Sequence, residues 1–502
     1  MSLAKVNSAA VVGLEAMPVE VEVDISNGLP SFTIVGLPGK AVEESKERVR
    51  SAIKNSGVDF PTKRITVNLA PADIKKEGPA YDLPIALGIL LADEKIPKIS
   101  DEIMLVGELA LNGNLRHING ILPIASSLAK KFPQIILPDD NKDEASLVKG
   151  IKILPAKSLK DLIYFFKKEK NLPFYLKKYN NISKQKYEYD MAYVKGQEQA
   201  KRALEIAAAG SHNILMIGPP GSGKTLLART IPSILPNLLD EEVLEVTKIY
   251  SVAGLLSSHE PFINIRPFRS PHHTTSNIAL VGGGTFPKPG EITLAHRGVL
   301  FMDEFAEFPR SVLEALRQPL EDGVITVSRA QGSISYPAQF ILVAAQNPCP
   351  CGYLGDPVKS CICAPTQILR YQKRVSGPLL DRIDIHIDVP RVKYEKLADE
   401  KIAEESAKVR KRVQSSRMIQ AKRQRKTNSE LIPKQIKEYC SLDDKSKDLL
   451  KSAVNQLNLS ARQYTRILKL ARTIADLAGI KNIQVSHIAE ALQYRPKEHS
   501  IY

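Results

Sequence analysis

The chain has 502 residues, 43% of them hydrophobic and 25% charged, with a net charge of +15 and an isoelectric point near 9.3. That length predicts about two to four domains. No apolar run reaches the ~18 residues of a membrane span, and the first residues lack a basic-then-apolar leader, so a cytoplasmic protein is expected. The basic balance fits a polyanionic partner, or an ordinary solvated surface.

From the start to about residue 165, strand-like and helical patterns alternate. Val19–Ser26 (VEVEVDIS) alternates apolar and acidic residues and predicts a half-buried strand. Ala41–Gly57 predicts an amphipathic helix stopped by Gly57, and Asp82–Asp93 (DLPIALGILLAD) a buried helix. Asn112-Gly113, within Glu108–Asn119, is a hairpin signal. From Leu172 the composition turns to Lys, Tyr and Asn without periodicity, and 166–192 is expected to be a linker. A second α/β pattern runs from Tyr193 to Pro390. Residues 391–502 are mainly helical, with Tyr394 to about Arg425 predicted as one long basic helix.

The second pattern carries chemistry. An apolar run, Ile214–Ile217, leads into Gly218-Pro219-Pro220-Gly221-Ser222-Gly223-Lys224-Thr225. This is the G-x-x-x-x-G-K-[ST] layout, in which glycines let backbone N–H groups cradle phosphates. The lysine reaches the β- and γ-phosphates and the threonine hydroxyl holds Mg²⁺. ATP and Mg²⁺ are therefore expected. Val299–Met302 reads as a buried parallel strand ending in Asp303, for the Mg²⁺ shell, and Glu304, for the attacking water. A third strand ends at Asn347, suited to hold that water or to close an Asx turn.

Two further features stand out. Gly323–Pro337 reads as a hairpin, Val324–Ser328 out and Ser333–Tyr336 back, with Gln331-Gly332 at the turn and Arg329 near the tip. Cys349, Cys351, Cys361 and Cys363 form two C-x-C pairs. Four such thiolates suit a closed structural Zn²⁺ site, with a redox pair or free thiols as alternatives.

The phosphate loop, the Asp-Glu strand and the Asn-ended strand together resemble an AAA+ ATPase. Arg266–Glu304, Gly377–Pro390 and Leu459–Leu477 narrow the resemblance to magnesium-chelatase-like proteins of the bacterial ComM/YifB group, over the whole chain. The resemblance implies an α/β multidomain protein with a Lon-protease-like first domain (1–165), an AAA+ core (193–390) and a helical lid (391–502). It also implies a homohexamer that moves DNA by branch migration.

The group's pattern further implies an arginine finger at Arg382, which by its neighbours could equally pair with Asp381 or Asp384. It implies a lid sensor at Arg462, otherwise a solvated residue, and an adenine-side turn at Gly196-Gln197. Pore-facing inserts would present Arg329, Arg266 and Arg269 to DNA. His272 and His273 would bond locally or meet a ligand, and the basic helix near Arg423 and Arg425 competes for the grip. Lon-type peptidases use a Ser–Lys dyad, and Ala80 and Leu122 stand at the two places, implying a peptidase-dead scaffold. The alternatives are a chelatase motor subunit and an unfoldase or peptidase.

Overall fold

A computed structural model of the chain describes residues 2–176, 187–257, 259–284, 288–329, 332–392, 395–396 and 403–496. It divides into two compact units, one of residues 1–183 with 240–263, the other of 184–239 with 264–502.

The first unit is built on a seven-stranded mixed sheet. Its strands are β1 (Ser2–Val12), β2 (Glu15–Ser26), β3 (Ser31–Val35), β4 (Arg64–Ala70), β5 (Ile103–Leu105), β6 (Gln134–Pro138) and β7 (Lys152–Ala156), in the order β3-β4-β2-β1-β5-β6-β7. The expected alternation in β2 is realised: Val19, Val21, Val23 and Ile25 are buried while the acidic residues between them keep access to water. Helix α1 (Ser45–Asn55) buries Val49, Ala52 and Ile53, and Gly57 follows it at φ 84°. Helix α2 (Asp82–Ala92) is buried along nearly all its length. It packs closely because Gly88 carries no side chain, and a Cβ there would lie 2.7 Å from Cγ2 of Val23. The Asn112-Gly113 hairpin forms between Glu108–Leu109 and Leu115–Arg116.

The helix Asp240–Ala253 also belongs to this first unit, although it lies inside the span expected to form the nucleotide core. The Ser251 hydroxyl donates to Glu144 at 2.5 Å, and Glu144 also accepts from the Leu122 N–H at 2.9 Å. Burial raises the Glu144 pKa, and these donors oppose that rise.

The second unit centres on a five-stranded, all-parallel sheet. Its strands are β8 (Ile214–Ile217), β9 (Phe268–Arg269), β10 (Val299–Met302), β13 (Ile341–Gln346) and β14 (Ile385–Asp388), in the order β9-β10-β13-β8-β14. Between β10 and β13 the chain makes an antiparallel hairpin, β11 (Val324–Arg329) and β12 (Gly332–Pro337). Of the expected turn, Gln331 lies outside the described residues, as do Ala330 and the side chain of Arg329, while Gly332 belongs to β12 and pairs with Arg329. Strands β8, β10 and β13 are runs of buried apolar residues, as a sheet covered on both faces requires. Helices α3 (Glu198–Gly210) and α4 (Lys224–Ile234) pack in the same core, with α5 (Ser406–Gln424), α6 (Ala461–Leu477) and α7 (Val485–Gln493) of the C-terminal part.

One helix boundary differs from the sequence reading, and the ends of the range expected as a linker are held in place. The linker range 166–192 is anchored at both ends. Tyr175 pairs by its backbone with Ile153, while the Met191 N–H donates to the Ser406 hydroxyl at 2.8 Å. The long basic helix starts at Ser406, because Glu405 is extended and the Asp190 carboxylate receives the Ser406 N–H at 3.0 Å. Three of its arginines have partners within the chain. Arg412 pairs with Glu205 and Glu404, Arg417 donates to the Ala208 carbonyl, and Arg423 grips Asp476 with two bonds. Arg423 is thus held by a buried carboxylate, while Arg425, the other cation of the expected grip, is exposed. Among the described residues no helix is long and apolar enough to cross a membrane.

Candidate functional site

Strands β8, β10 and β13 run parallel and end on one edge of the sheet. The phosphate-loop motif, the Asp303-Glu304 pair and Asn347 follow those three ends in turn. Open parallel sheets bind ligands at such carboxyl ends.

The loop's glycines have separate reasons. A Cβ on Gly218 would lie 2.1 Å from the Val389 carbonyl oxygen. Gly221 and Gly223 hold φ of 77° and 90°, a region that L-residues rarely adopt. The turn delivers the chain into α4, whose first N–H groups lack partners within the helix and favour an anion. Lys224 is 8% exposed, and its ammonium donates to the carbonyls of Gly218 at 2.7 Å and Pro219 at 2.9 Å and to Asn347 Oδ1 at 3.4 Å. Burial lowers its pKa, and the Asp303 carboxylate opposes that fall. The Ser222 hydroxyl is buried with no partner among the described residues. A buried ammonium and an orphaned hydroxyl inside one loop fit a phosphate chain.

The Thr225 hydroxyl donates to Asp303 Oδ2 at 2.7 Å, so the two oxygen ligands expected for Mg²⁺ stand side by side. Asp303 Oδ1 accepts from the Glu304 N–H at 2.9 Å. Glu304 itself sits at φ 52°, a left-handed conformation uncommon outside glycine. Its carboxylate meets His273 Nδ1 at 3.0 Å, and the rings of His272 and His273 lie 4.1 Å apart. Gln197 follows Gly196 through a left-handed turn, at φ of 61° and 65°. Its amide donates to the Ser222 carbonyl at 3.2 Å and the Pro390 carbonyl at 2.5 Å, which ties that turn to the phosphate loop.

Arg382 and Arg462 are elsewhere. Ile214 of β8 pairs with Ile385 of β14, so Arg382 precedes the amino edge of the sheet, opposite the phosphate loop. Its carbonyl accepts from the Asn213 amide at 3.2 Å on that same edge. The Arg382 guanidinium pairs with Glu321 rather than with the neighbouring Asp381 or Asp384. Arg462 Nη2 approaches the other oxygen of Glu321 at 3.6 Å. Nothing in the sequence between Glu321 and Arg462 signals this meeting, and Glu321 was not among the expected site residues.

The sulfur atoms of Cys349, Cys351, Cys361 and Cys363 all lie within 4.8 Å of one another. The closest separations, 3.4 and 3.6 Å, approach the ~3.8 Å edge of a tetrahedron with Zn–S bonds of about 2.3 Å. The Cys351 N–H also points at Cys363 Sγ at 3.4 Å. Burial works against ionising Cys351, but backbone N–H groups of Tyr353 and Ile362 bring its pKa down to about 6. Four convergent thiols with such donors fit a Zn²⁺ ion. The loop rests on the nucleotide site: a Cβ on Gly352 would lie 2.7 Å from Pro220 Cδ, and Asp356 holds Arg391, the residue after Pro390, at 2.6 Å. Cys440 is separate, a buried thiol pushed up to about 11 by desolvation.

The two arginines of the insert that were expected to face DNA have partners within the chain. Arg266 donates to the carbonyls of Pro236 at 2.6 Å, Arg297 at 2.7 Å and Asn237 at 3.3 Å. Arg269 makes a two-pronged pair with Glu291 at 2.6 and 2.7 Å. Both guanidinium groups are committed to fastening the insert onto the sheet.

Residues 190–397 match the family model described as magnesium chelatase, subunit ChlI; 21–141 match the model for subunit ChlI of Mg-chelatase, and 403–495 that for the ChlI C-terminal region. The chain is 48% identical to the competence protein ComM of Haemophilus influenzae, covering 99% of this chain and 98% of that one. It is 46% identical to the uncharacterized protein YifB of Escherichia coli, over 99% and 97% of the two chains. Against the magnesium-chelatase subunit ChlI of Euglena gracilis it is 25% identical, over 30% of this chain and 51% of that one. On full-length similarity and matched domains, the chain belongs to the ComM/YifB family of magnesium-chelatase-like AAA+ ATPases.

Proposed function

We propose that the protein is an ATP-driven homohexameric DNA motor, a cytoplasmic branch-migration helicase acting in homologous recombination or natural transformation. The observation that carries this reading is the separation of the candidate nucleotide residues from Arg382 and Arg462 on opposite edges of one sheet. A complete ATPase site then needs the carboxyl edge of one subunit and the amino edge of the next, which a ring supplies. DNA as the substrate draws on the full-length similarity to ComM, the net charge of +15 and the hairpin carrying Arg329. The chelatase-motor alternative draws on the same domain matches, but identity to a chelatase subunit itself is 25% over 30% of the chain, against 48% over 99% for ComM.

In this reading Lys224 and the loop amides hold the β- and γ-phosphates, and Thr225 and Asp303 hold Mg²⁺. Gly196-Gln197 lies on the adenine side. Glu304 takes a proton from the attacking water, Asn347 orients that water, and Arg382 and Arg462 from the neighbour meet the charge developing on the γ-phosphate. The first unit is a Lon-protease-like scaffold and the C-terminal helices are the lid. Ala80 supplies no nucleophile, and Leu122 is fully buried in the helix Ile121–Leu128, so a peptidase reading has no dyad. The decisive experiment is a strand-exchange assay on a four-way junction. Protein that hydrolyses ATP yet moves no junction at any salt would defeat the motor reading.

Two expectations follow. Zinc bound at about one ion per subunit is expected by elemental analysis of protein purified without added metal. It should fall to near zero in the Cys361→Ser/Cys363→Ser double variant, because a four-thiolate site does not survive the loss of half its ligands. Full occupancy in that variant would refute the ligand set. DNA affinity is expected to fall steeply with salt and to depend little on sequence, as backbone contacts release counterions. Arg329→Ala should keep basal ATPase, flatten that salt slope and lose stimulation by DNA. An unchanged slope would move the grip away from the hairpin.

A further inference from the structure

Glu321 is the penultimate residue of the helix Arg317–Asp322, which leads through Gly323 into the hairpin β11–β12. The Gln318 amide of the same helix reaches the Thr326 hydroxyl on β11 at 3.4 Å, and the Ala338 N–H beyond β12 returns to the Gly323 carbonyl at 2.8 Å. The helix and hairpin are thus tied at both ends. Its carboxylate is the meeting point of two cations from distant parts of the chain, Arg382 before β14 and Arg462 at the start of α6. Arg462 is 57% exposed, whereas the Arg382 side chain is only 11% exposed. Arg382 Nε is buried with no acceptor among the described residues, while Nη1 donates to the Pro378 carbonyl at 2.7 Å. One turn further along α6, Arg466 is held by Asp384 at 3.4 Å and by the Ile383 carbonyl, and contributes a third positive charge. Three guanidinium groups therefore share one corner. The only anion reaching both Arg382 and Arg462 there, among the described residues, belongs to Glu321.

We propose that Glu321 is a resident latch: in the separate subunit its carboxylate occupies the arginine pair, and the phosphate group of a nucleotide in the neighbouring subunit displaces it on assembly. The logic is charge substitution. Two guanidinium forks that converge on a carboxylate also match a phosphate, and a phosphate offers an acceptor to the unpartnered Nε of Arg382. Displacement frees the end of the helix that carries the hairpin, so filling a neighbour's nucleotide site and moving the hairpin become one event. Glu321 acts through the arginines and is a positioning residue, with no contact to substrate. The inference rests on the reading of Arg382 and Arg462 as residues that complete a neighbour's site.

The test is ATPase activity as a function of protein concentration, with sedimentation of the same samples in a non-hydrolysable ATP analogue, for wild type, Glu321→Gln, Arg382→Ala and the Glu321→Gln/Arg382→Ala double variant. A partly exposed pair of this kind holds its partner only weakly, so removing the charge should lower the protein concentration for half-maximal assembly by about fivefold. Read by sedimentation, the double variant should lose most of that gain, because Arg382 is the closer of the two arginines that Glu321 holds. An unchanged midpoint in Glu321→Gln, with Arg382→Ala inactive, would overturn the latch and leave the trans-arginine reading intact. Reduced turnover in Glu321→Gln at normal assembly would overturn it as well, since Glu321 would then hold the arginines in their working geometry. Full ATPase activity in Arg382→Ala would instead remove the reading on which the latch depends.

Discussion

Replacing Glu304 with glutamine is expected to leave ATP bound and slow its hydrolysis by about 10²-fold or more, the usual size of general-base assistance. The expectation follows from position. Glu304 is the second residue after β10, next to Asp303, which already faces Thr225 at 2.7 Å. Its backbone is held at φ 52° with its own N–H on the Asp303 carboxylate, so the side chain is carried by a constrained turn. Glutamine keeps the length and the shape of that turn and removes only the ability to accept a proton. Binding of a fluorescent ATP analogue and steady-state phosphate release, measured on one preparation, separate affinity from turnover. Near-normal release would remove Glu304 from the proposed mechanism, whereas lost binding would show a damaged loop.

Arg382→Ala is expected to reduce hydrolysis by roughly 10³-fold, the lower end of what an arginine finger contributes. The distinctive expectation is complementation. Lys224 lies at the carboxyl edge of the sheet and Arg382 at the amino edge, so the two variants damage different sides of an interface. Mixed Lys224→Ala and Arg382→Ala subunits should rebuild some intact sites and recover part of the activity. A mixture that co-assembles by sedimentation and stays inactive would show that Arg382 serves its own subunit or only the fold. The single-chain geometry makes that a real contest, since Arg382 already has an internal partner in Glu321.

Much of the nucleotide loop was legible in the sequence because its chemistry is local. Gly218 to Thr225 must be contiguous for one loop to wrap a phosphate chain, and Asp303-Glu304 must follow an apolar strand for that strand to lie inside the sheet. The cysteine array was legible for the same reason: two C-x-C pairs on a short loop can converge with little help from the rest of the fold. Arg266 and Arg269, which the resemblance set facing DNA, have partners in the chain that their sequence neighbourhood does not reveal. Their partners, the carbonyls of Pro236, Asn237 and Arg297 and the carboxylate of Glu291, are 22 to 31 residues away. The partner of Arg423, Asp476, likewise lies 53 residues further on.

The sequence by itself determined the kinds of groups available: a phosphate loop, a strand-end acid pair, four clustered thiols and a surplus of cations. It also determined the local elements that carry them, because the period of apolar residues and the glycines at left-handed turns act within a few residues. Only the tertiary structure decided which charges are already neutralised and which edge of the sheet each occupies. The parallel pairing of β8 with β14 placed Lys224 and Arg382 at opposite ends of the strands, and the fold brought Glu321 between Arg382 and Arg462. It likewise gave the helix Asp240–Ala253 to the first unit, where Ser251 meets Glu144. The physical reason is common to these cases. A charge or hydroxyl is satisfied by whatever lies within about 3 Å of it in space, and parallel-sheet topology makes neighbours of residues that the chain keeps far apart.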